Sequence, residues 1–198
     1  PALTLIGPDD GTERTLAAEA LRRLTDRVPD VHLTLAVLDG SAEQAGAGLL
    51  FDAPFHSYLF DLCAGADNWR LISRAPGDRG IIAGVLDARV ATRENKEVLV
   101  WGARYAAVLN ARGLERVGLA PSSGLDGLTH AQARAAITAL GEAARIAALS
   151  DPQDLRRAID PRAVDLRSAA LGRYEPTVDR PPRHRRSPRS SARGGTGG

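Results

Sequence analysis

The chain has 198 residues, a length that suits one domain. A hydrophobic fraction of 43% supports a core, and aromatics at 4% mean that Leu, Val, Ile and Ala must build most of it. The single cysteine, Cys63, excludes a disulfide framework and a multi-cysteine metal site.

No run approaches the ~18 consecutive apolar residues of a membrane helix. No N-terminal signal is visible before the strand-like run that Pro1 opens, and the single cysteine fits the expectation of a reducing cytoplasm. The net charge of +2 is set by one end of the chain. Arg180, Arg183, Arg185, Arg186, Arg189 and Arg193 carry +6 with no acid after Asp179, which leaves the rest at −4. A slightly acidic body argues against a nucleic-acid-binding domain.

In chain order the pattern alternates strand and helix. Ala2 to Gly7 reads as a strand closed by a Gly-Pro-Asp-Asp turn, and Thr12 to Val28 as an amphipathic helix with Leu16, Ala17, Ala20, Leu21 and Leu24 apolar. Val31 to Leu38 is a near-continuous apolar strand, as expected where both faces are buried. Ser41 to Pro54 reads as a long loop with room for a short helix. Phe55 to Ala64 reads as helix and Asn68 to Ser73 as the next strand. Cys63 then falls in an apolar run and reads as a small core residue, with a reactive thiol as the alternative.

Gly80 to Leu86 is a strand, Thr92 to Ala111 a helix, and Val117 to Ala120 the last strand, leaving through Pro121-Ser-Ser-Gly124. Thr129 is placed to N-cap a long Ala-rich helix reaching Leu149, and Asp151-Pro152 starts one more. From Tyr174 onward Pro, Arg, Ser and Gly dominate, the composition of a disordered extension. Five strands alternating with helices predict an α/β fold of parallel βαβ units over residues 1–172, followed by an Arg/Pro/Gly-rich tail over 173–198.

Several stretches together resemble the catalytic barrel of cobalamin-independent methionine synthase. Gly84-Val-Leu-Asp87 is similar to that family's Gly-Val-x-Asp strand end. Glu94 and Arg104 fall where its next helix has Glu and Arg. Leu114 to Leu125 resembles its last strand and Pro-Asp-Cys-Gly exit. Val31 to Ala36 is similar to the strand bearing its His-x-Cys zinc pair, and Arg70 to Arg74 to the strand bearing its Glu ligand.

The resemblance implies a partial, five-strand TIM-barrel-like domain, because the match begins near the family's fourth strand. It also implies a lost metal site. Thr34 and Ala36 stand at the His-x-Cys pair, or Thr34 alone at the Cys position in a register that keeps His32. Leu71 or Ile72 stands for the Glu, and Ser123 for the last Cys. A neutral hydroxyl does not replace a thiolate on zinc. The expectation is no metal and no cofactor.

Functional residues in parallel α/β folds sit at strand C-terminal ends. That rule selects Asp9, Asp10, Asp39, Ser73, Arg74, Asp87, Arg89, Ser122 and Ser123. Asp87, Asp39 and His56 are the candidate catalytic groups. Asp9, Asp10 and Asp39 can equally be turn formers. Arg74 and Arg89 on neighbouring strand ends can grip an anion bidentately, with Ser73, Ser122 and Ser123 lining the same site. His32 reads as a core histidine and His130 as solvent-facing, while His184 belongs to the tail.

The function expected is metal-independent displacement at a saturated carbon: alkyl transfer, or ring closure with loss of an anion, on a small molecule of specialised metabolism. Asp87 or Asp39 would activate an amine or hydroxyl. One alternative is a non-catalytic subunit that completes a partner enzyme; another is zinc-dependent methyl transfer. Open sheet edges predict a protein partner, as a hetero-complex or a homodimer, or else an open α/β sheet whose edges are covered within the chain.

Overall fold

A computed structural model describes residues 3–89 and 95–159. Its elements are α1 (Gly11–Arg27), β1 (Thr34–Val37), α2 (Gly46–Phe51), β2 (Ser57–Asp61), α3 (Asn68–Arg74), β3 (Gly80–Leu86), α4 (Lys96–Val108), β4 (Val117–Pro121), α5 (His130–Ala147) and α6 (Pro152–Ala158). The α/β reading with alternating strand and helix holds. Among the described residues the sheet has four parallel strands, not five, in the order β1-β2-β3-β4. Residues 160–198, which include the tail and the boundary expected at 172, lie outside the described residues, as does Glu94.

Two sequence expectations exchange places. Phe55 to Ala64 was expected as helix but contains β2, and Asn68 to Ser73 was expected as strand but is the body of α3. The reasons are local. In β2 the side chains alternate: Tyr58 and Phe60 enter the core, while Ser57 and Asp61 point to the other face. In α3, Trp69 and Ile72 lie one helical turn apart and are both buried, which satisfies a 3.6-residue period. Leu3–Leu5 of the first expected strand form only a 3-10 turn.

In β3 the expected and observed bounds coincide, and the helix expected from Thr129 begins with a full capping box between Thr129 and Gln132. Asp151 caps α6, with Pro152 in its first turn.

Strand order without reversal has a simple consequence. Right-handed crossovers then lay α2, α3 and α4 on one face of the sheet. Val37, Tyr58, Phe60, Ile81 and Ala83, which point to that face, are all buried. The core is built mainly of Leu, Val, Ile and Ala, as expected, and Phe55, Tyr58, Phe60 and Trp69 are among its largest fully buried side chains. Burying four such rings contributes roughly 1.5–3 kcal/mol each. The opposite face carries the exposed or half-exposed Thr34, Ala36, Leu59, Ile82, Gly118 and Ala120 together with the buried Ser57 and Asp61.

Candidate functional site

The strand ends are brought together at one end of the sheet. β2 terminates at Asp61, which lies beside Gly84 of β3. β3 carries a bulge between Gly84 and Leu86 against β4, a distortion that re-aims the chain just before Asp87. After the bulge the Ser122 N–H donates to Leu86 O at 2.8 Å, which seats Ser122 beside the end of β3. Gly84 permits this closeness, since a Cβ there would lie 2.6 Å from Phe60 O and 3.1 Å from the Ser122 Cα.

Arg89 is the hub. Its Nη1 donates to Asp61 Oδ2 at 3.0 Å and Asp39 Oδ1 at 3.2 Å. Its Nη2 donates to Asp61 Oδ1 at 3.3 Å and Ser122 Oγ at 3.1 Å, and its Nε to Asp87 Oδ1 at 3.2 Å. Those bonds use all five N–H groups of a guanidinium. The hydrogen bond to Asp61 raises the Arg89 pKa above its ordinary value, so the cation is permanent. Three carboxylates face one guanidinium, and the cluster is formally at −2.

Asp61 is fully buried and central. Besides Arg89 it accepts the backbone N–H of Asp39 at 3.2 Å and those of Cys63 and Ala64 at 2.9 Å. Asn68, also fully buried, ties the neighbouring loops by donating to Gly40 O and Asp61 O and accepting from the Ala42 N–H. Asp39 sits in the left-handed region at φ 58, which Asp tolerates better than most residues. Cys63 lies against the same cluster, with its Sγ 3.7 Å from Gly84 O. Burial pushes its thiol up to about 11, helped by the nearby Asp87 and Asp61 charges, so it is a neutral thiol at neutral pH.

Of the residues selected from sequence, Asp39, Asp87, Arg89 and Ser122 meet in this network. Ser123 follows it, half-buried, without joining it. The others lie elsewhere. Arg74 is in the last turn of α3, not at a strand end, and pairs with Glu43 at 3.4 Å. The expected Arg74–Arg89 anion clamp is therefore not assembled. Ser73 is exposed on α3 and donates to Arg70 O. His56 precedes β2, so roughly 16 Å of extended chain separates it from Asp61 at the other end.

Asp10 takes the Gly7 N–H at 2.7 Å and serves the turn before α1. His32 is exposed just before β1, not a core residue. Its Nε2 is 3.0 Å from Ser57 Oγ, and its ring stacks on His56 at 5.0 Å. These two histidines line an open cavity of about 450 Å³ at the N-terminal strand ends.

Sequence reasoning missed Asp61, Cys63 and Asn68 as site residues. The rule of an acid at a strand end would have selected Asp61 once 57–61 was read as a strand. Leu71 and Ile72, expected to stand on the strand of the lost Glu ligand, are buried in α3. Among the described residues no group of three or more His, Cys, Asp and Glu side chains could hold a metal ion. No described helix is long and apolar enough to cross a membrane. No family model and no curated protein matches the chain.

Proposed function

We propose that this chain forms part of an active site at the C-terminal strand ends, where a carboxylate activates an amine or hydroxyl for displacement at a saturated carbon. The product is an alkylated acceptor or a closed ring, on a small-molecule substrate. One observation carries the reading: an acid-rich network built around Arg89, with Asp87 and Asp39 at its accessible rim. Asp87 Oδ1 is held by the Arg89 N–H and Nε, and its Oδ2 has no hydrogen-bond partner among the described residues. That oxygen is placed to accept a proton. Arg89 has every N–H committed, so it positions the acids and is not assigned to the departing anion.

The parent architecture we infer is half of a TIM-like barrel. Four parallel strands in unbroken order support that reading, since a TIM barrel has eight such strands. A second reading, a non-catalytic subunit that completes a partner enzyme, is favoured by the uncovered sheet face. The test separates the two. Wild-type protein is incubated with sulfonium and phosphate-ester alkyl donors against a panel of amines and alcohols, and products are read by mass spectrometry. Product formed by wild type and reduced about 100-fold in Asp87→Asn supports the enzyme. Full turnover in Asp87→Asn removes its main support, and no product with any pair favours the subunit.

A further inference from the structure

We propose that Ser57 and His32 form a second catalytic site, at the N-terminal end of the sheet, that takes acyl groups from short uncharged esters. The proposal does not rest on the acid cluster. That cluster begins at Asp61, four residues along β2 from Ser57 and roughly 13 Å away.

The Ser57 hydroxyl has two partners: His32 Nε2 at 3.0 Å and Thr34 Oγ1 at 2.6 Å. A hydroxyl carries one proton and two lone pairs. With the Thr34 O–H donating to Ser57 Oγ, the Ser57 proton is left for His32 Nε2, and one lone pair of Ser57 stays free. That is what a serine nucleophile requires: a base within hydrogen-bond reach and an electron pair able to attack. Such a pair is recognised by geometry and not by sequence motif. The Ser57 backbone is fixed as well, since its N–H donates to Leu33 O at 3.3 Å.

His56 supplies a third polar group. Its Nδ1 accepts the Leu33 N–H at 3.0 Å, and its own backbone N–H donates to Leu33 O at 3.0 Å. Because Nδ1 is an acceptor, the neutral ring carries its proton on Nε2. The ring stacks on His32, with centres 5.0 Å apart, and both rings line the same cavity. The His56 Nε2–H is thus a donor for the oxygen that becomes negative when a serine adds to a carbonyl.

The cavity decides the substrate class. At about 450 Å³ it suits a small molecule, and Ile82 and Val117 give it apolar walls. Gly80 keeps space beside the nucleophile, because a Cβ there would lie 2.9 Å from the Ser57 Cβ. Ser57 is only 4% exposed, so a slim acyl group is the one that reaches it. The charges at the rim are matched: Asp78 pairs with Arg79 at 3.6 Å, and Glu115 with Arg116 at 3.0 Å. Nothing there selects an ionic substrate. Among the described residues no carboxylate bonds to His32, so the pair lacks the orienting acid of a full triad. That restricts it to esters with good leaving groups and leaves amides out of reach.

The chemistry balances without another reactant. Ser57 Oγ bonds to the carbonyl carbon while its proton passes to His32 Nε2. The bond from carbon to the alcohol oxygen breaks, and His32 gives that oxygen the proton. Water then adds to the acyl-Ser57 ester, again losing a proton to His32. The acid leaves, and Ser57 regains its proton. Ester and water become acid and alcohol.

Mass spectrometry of the full chain tests the proposal, with p-nitrophenyl acetate and an uncharged alkyl fluorophosphonate as separate probes. The expected result is a single adduct mapped by digestion to Ser57, with a matching burst of p-nitrophenol. His32→Ala should slow labelling by about 100-fold. His56→Phe, which keeps a stacked ring, should lower ester turnover by about 100-fold. Gly118→Val leaves Ser57 and His32 untouched. Its Cβ would meet nothing closer than Ile82 Cγ1 at 3.5 Å, and the added side chain fills the cavity. It should block labelling with no loss in the urea midpoint. A wild-type chain with no adduct, or with the adduct elsewhere in place of Ser57, overturns the proposal. So does a His32→Ala chain that labels at the wild-type rate. Mapping the wild-type adduct needs no variant, so the test survives a substitution that fails to fold. None of these outcomes bears on whether Asp87 is a base.

Discussion

Asp61 and Arg89 are joined twice, Nη1 to Oδ2 at 3.0 Å and Nη2 to Oδ1 at 3.3 Å, so the turn after β3 is bolted to the end of β2. Asp61 has no solvent exposure, and the Arg89 side chain is 35% exposed. The pair is thus half in water and half out, and its worth lies between a surface bridge and a buried one.

Arg89→Met should destabilise the chain by about 2–3 kcal/mol. Breaking a fully buried pair costs roughly 3–5 kcal/mol. The partial exposure of Arg89 and the three backbone N–H groups still held by Asp61 reduce that figure. The urea midpoint reads the effect. The double variant Asp61→Asn/Arg89→Met should lose at least ~1 kcal/mol less than the two single losses added together. Strict additivity would mean that the two side chains do not interact.

Cys63 should behave as a protected thiol. Its pKa of about 11, against an ordinary 9.0, lowers the thiolate fraction at pH 8 by about 100-fold. Iodoacetamide should alkylate the folded protein about 100-fold more slowly than the urea-unfolded chain at pH 8. The sign for stability follows from the neutral form being favoured in the fold. The contribution is complete below pH 9 and is lost as pH rises from 9 through 11. Cys63→Ala should flatten the fall of the urea midpoint over that window. A thiol that reacts at the unfolded rate would place Cys63 outside the cluster.

Gly84 is the residue that lets three strand ends converge. Gly84→Ala would set a Cβ 2.6 Å from the Phe60 carbonyl oxygen, a backbone atom that cannot yield alone. We expect a loss of about 2 kcal/mol or more, together with faster alkylation of Cys63, whose Sγ rests on the Gly84 carbonyl. Gly48→Ala is the contrast. A Cβ there meets nothing within 4 Å, and the position is helical, so a gain of about 0.5–1 kcal/mol is expected. Thermal midpoints of the two variants moving in the same direction would contradict this assignment.

Much of the frame was legible because it rests on local signals. The apolar run of β3 is bounded by a turn on each side, and the Thr129 capping box is written in four residues. The middle of the chain was less legible. Ser57 to Cys63 and Asn68 to Arg74 are both short and rich in large apolar residues, and at that length a buried strand and a buried helical turn carry nearly the same composition. What separates them is tertiary: Asp61 must reach the loop after β3, and Trp69 must pack on Trp101 and Tyr105 of α4. Reading 57–61 as a helix concealed Asp61, and with it the reason Arg89 is not a free anion clamp. Arg89, Asp87 and Asp39 were visible because each follows a strand whose identity was clear.

Arg112 supports the scaffold from the opposite side, without a carboxylate among its bonds. It is fully buried, and its guanidinium donates to the carbonyls of Arg79, Ala106, Ala75 and Pro76 at 2.9, 2.6, 3.1 and 3.3 Å. Burial lowers its pKa, but an arginine side chain stays protonated in proteins. Those bonds join the end of α4 to the turn that leads into β3, and so fix the strand that delivers Asp87. Arg112→Met keeps the volume but strands several buried carbonyls, at roughly 1–3 kcal/mol for each one left without a partner. We expect a total loss of about 3 kcal/mol or more. Arg112→Lys should recover less than half of it, because one ammonium cannot replace a planar fork at spread carbonyls. Arg157→Ala, with a side chain 76% exposed, should change nothing measurable. Urea unfolding of the three variants checks the order, and an Arg112→Met variant as stable as wild type would show that the carbonyls find other donors.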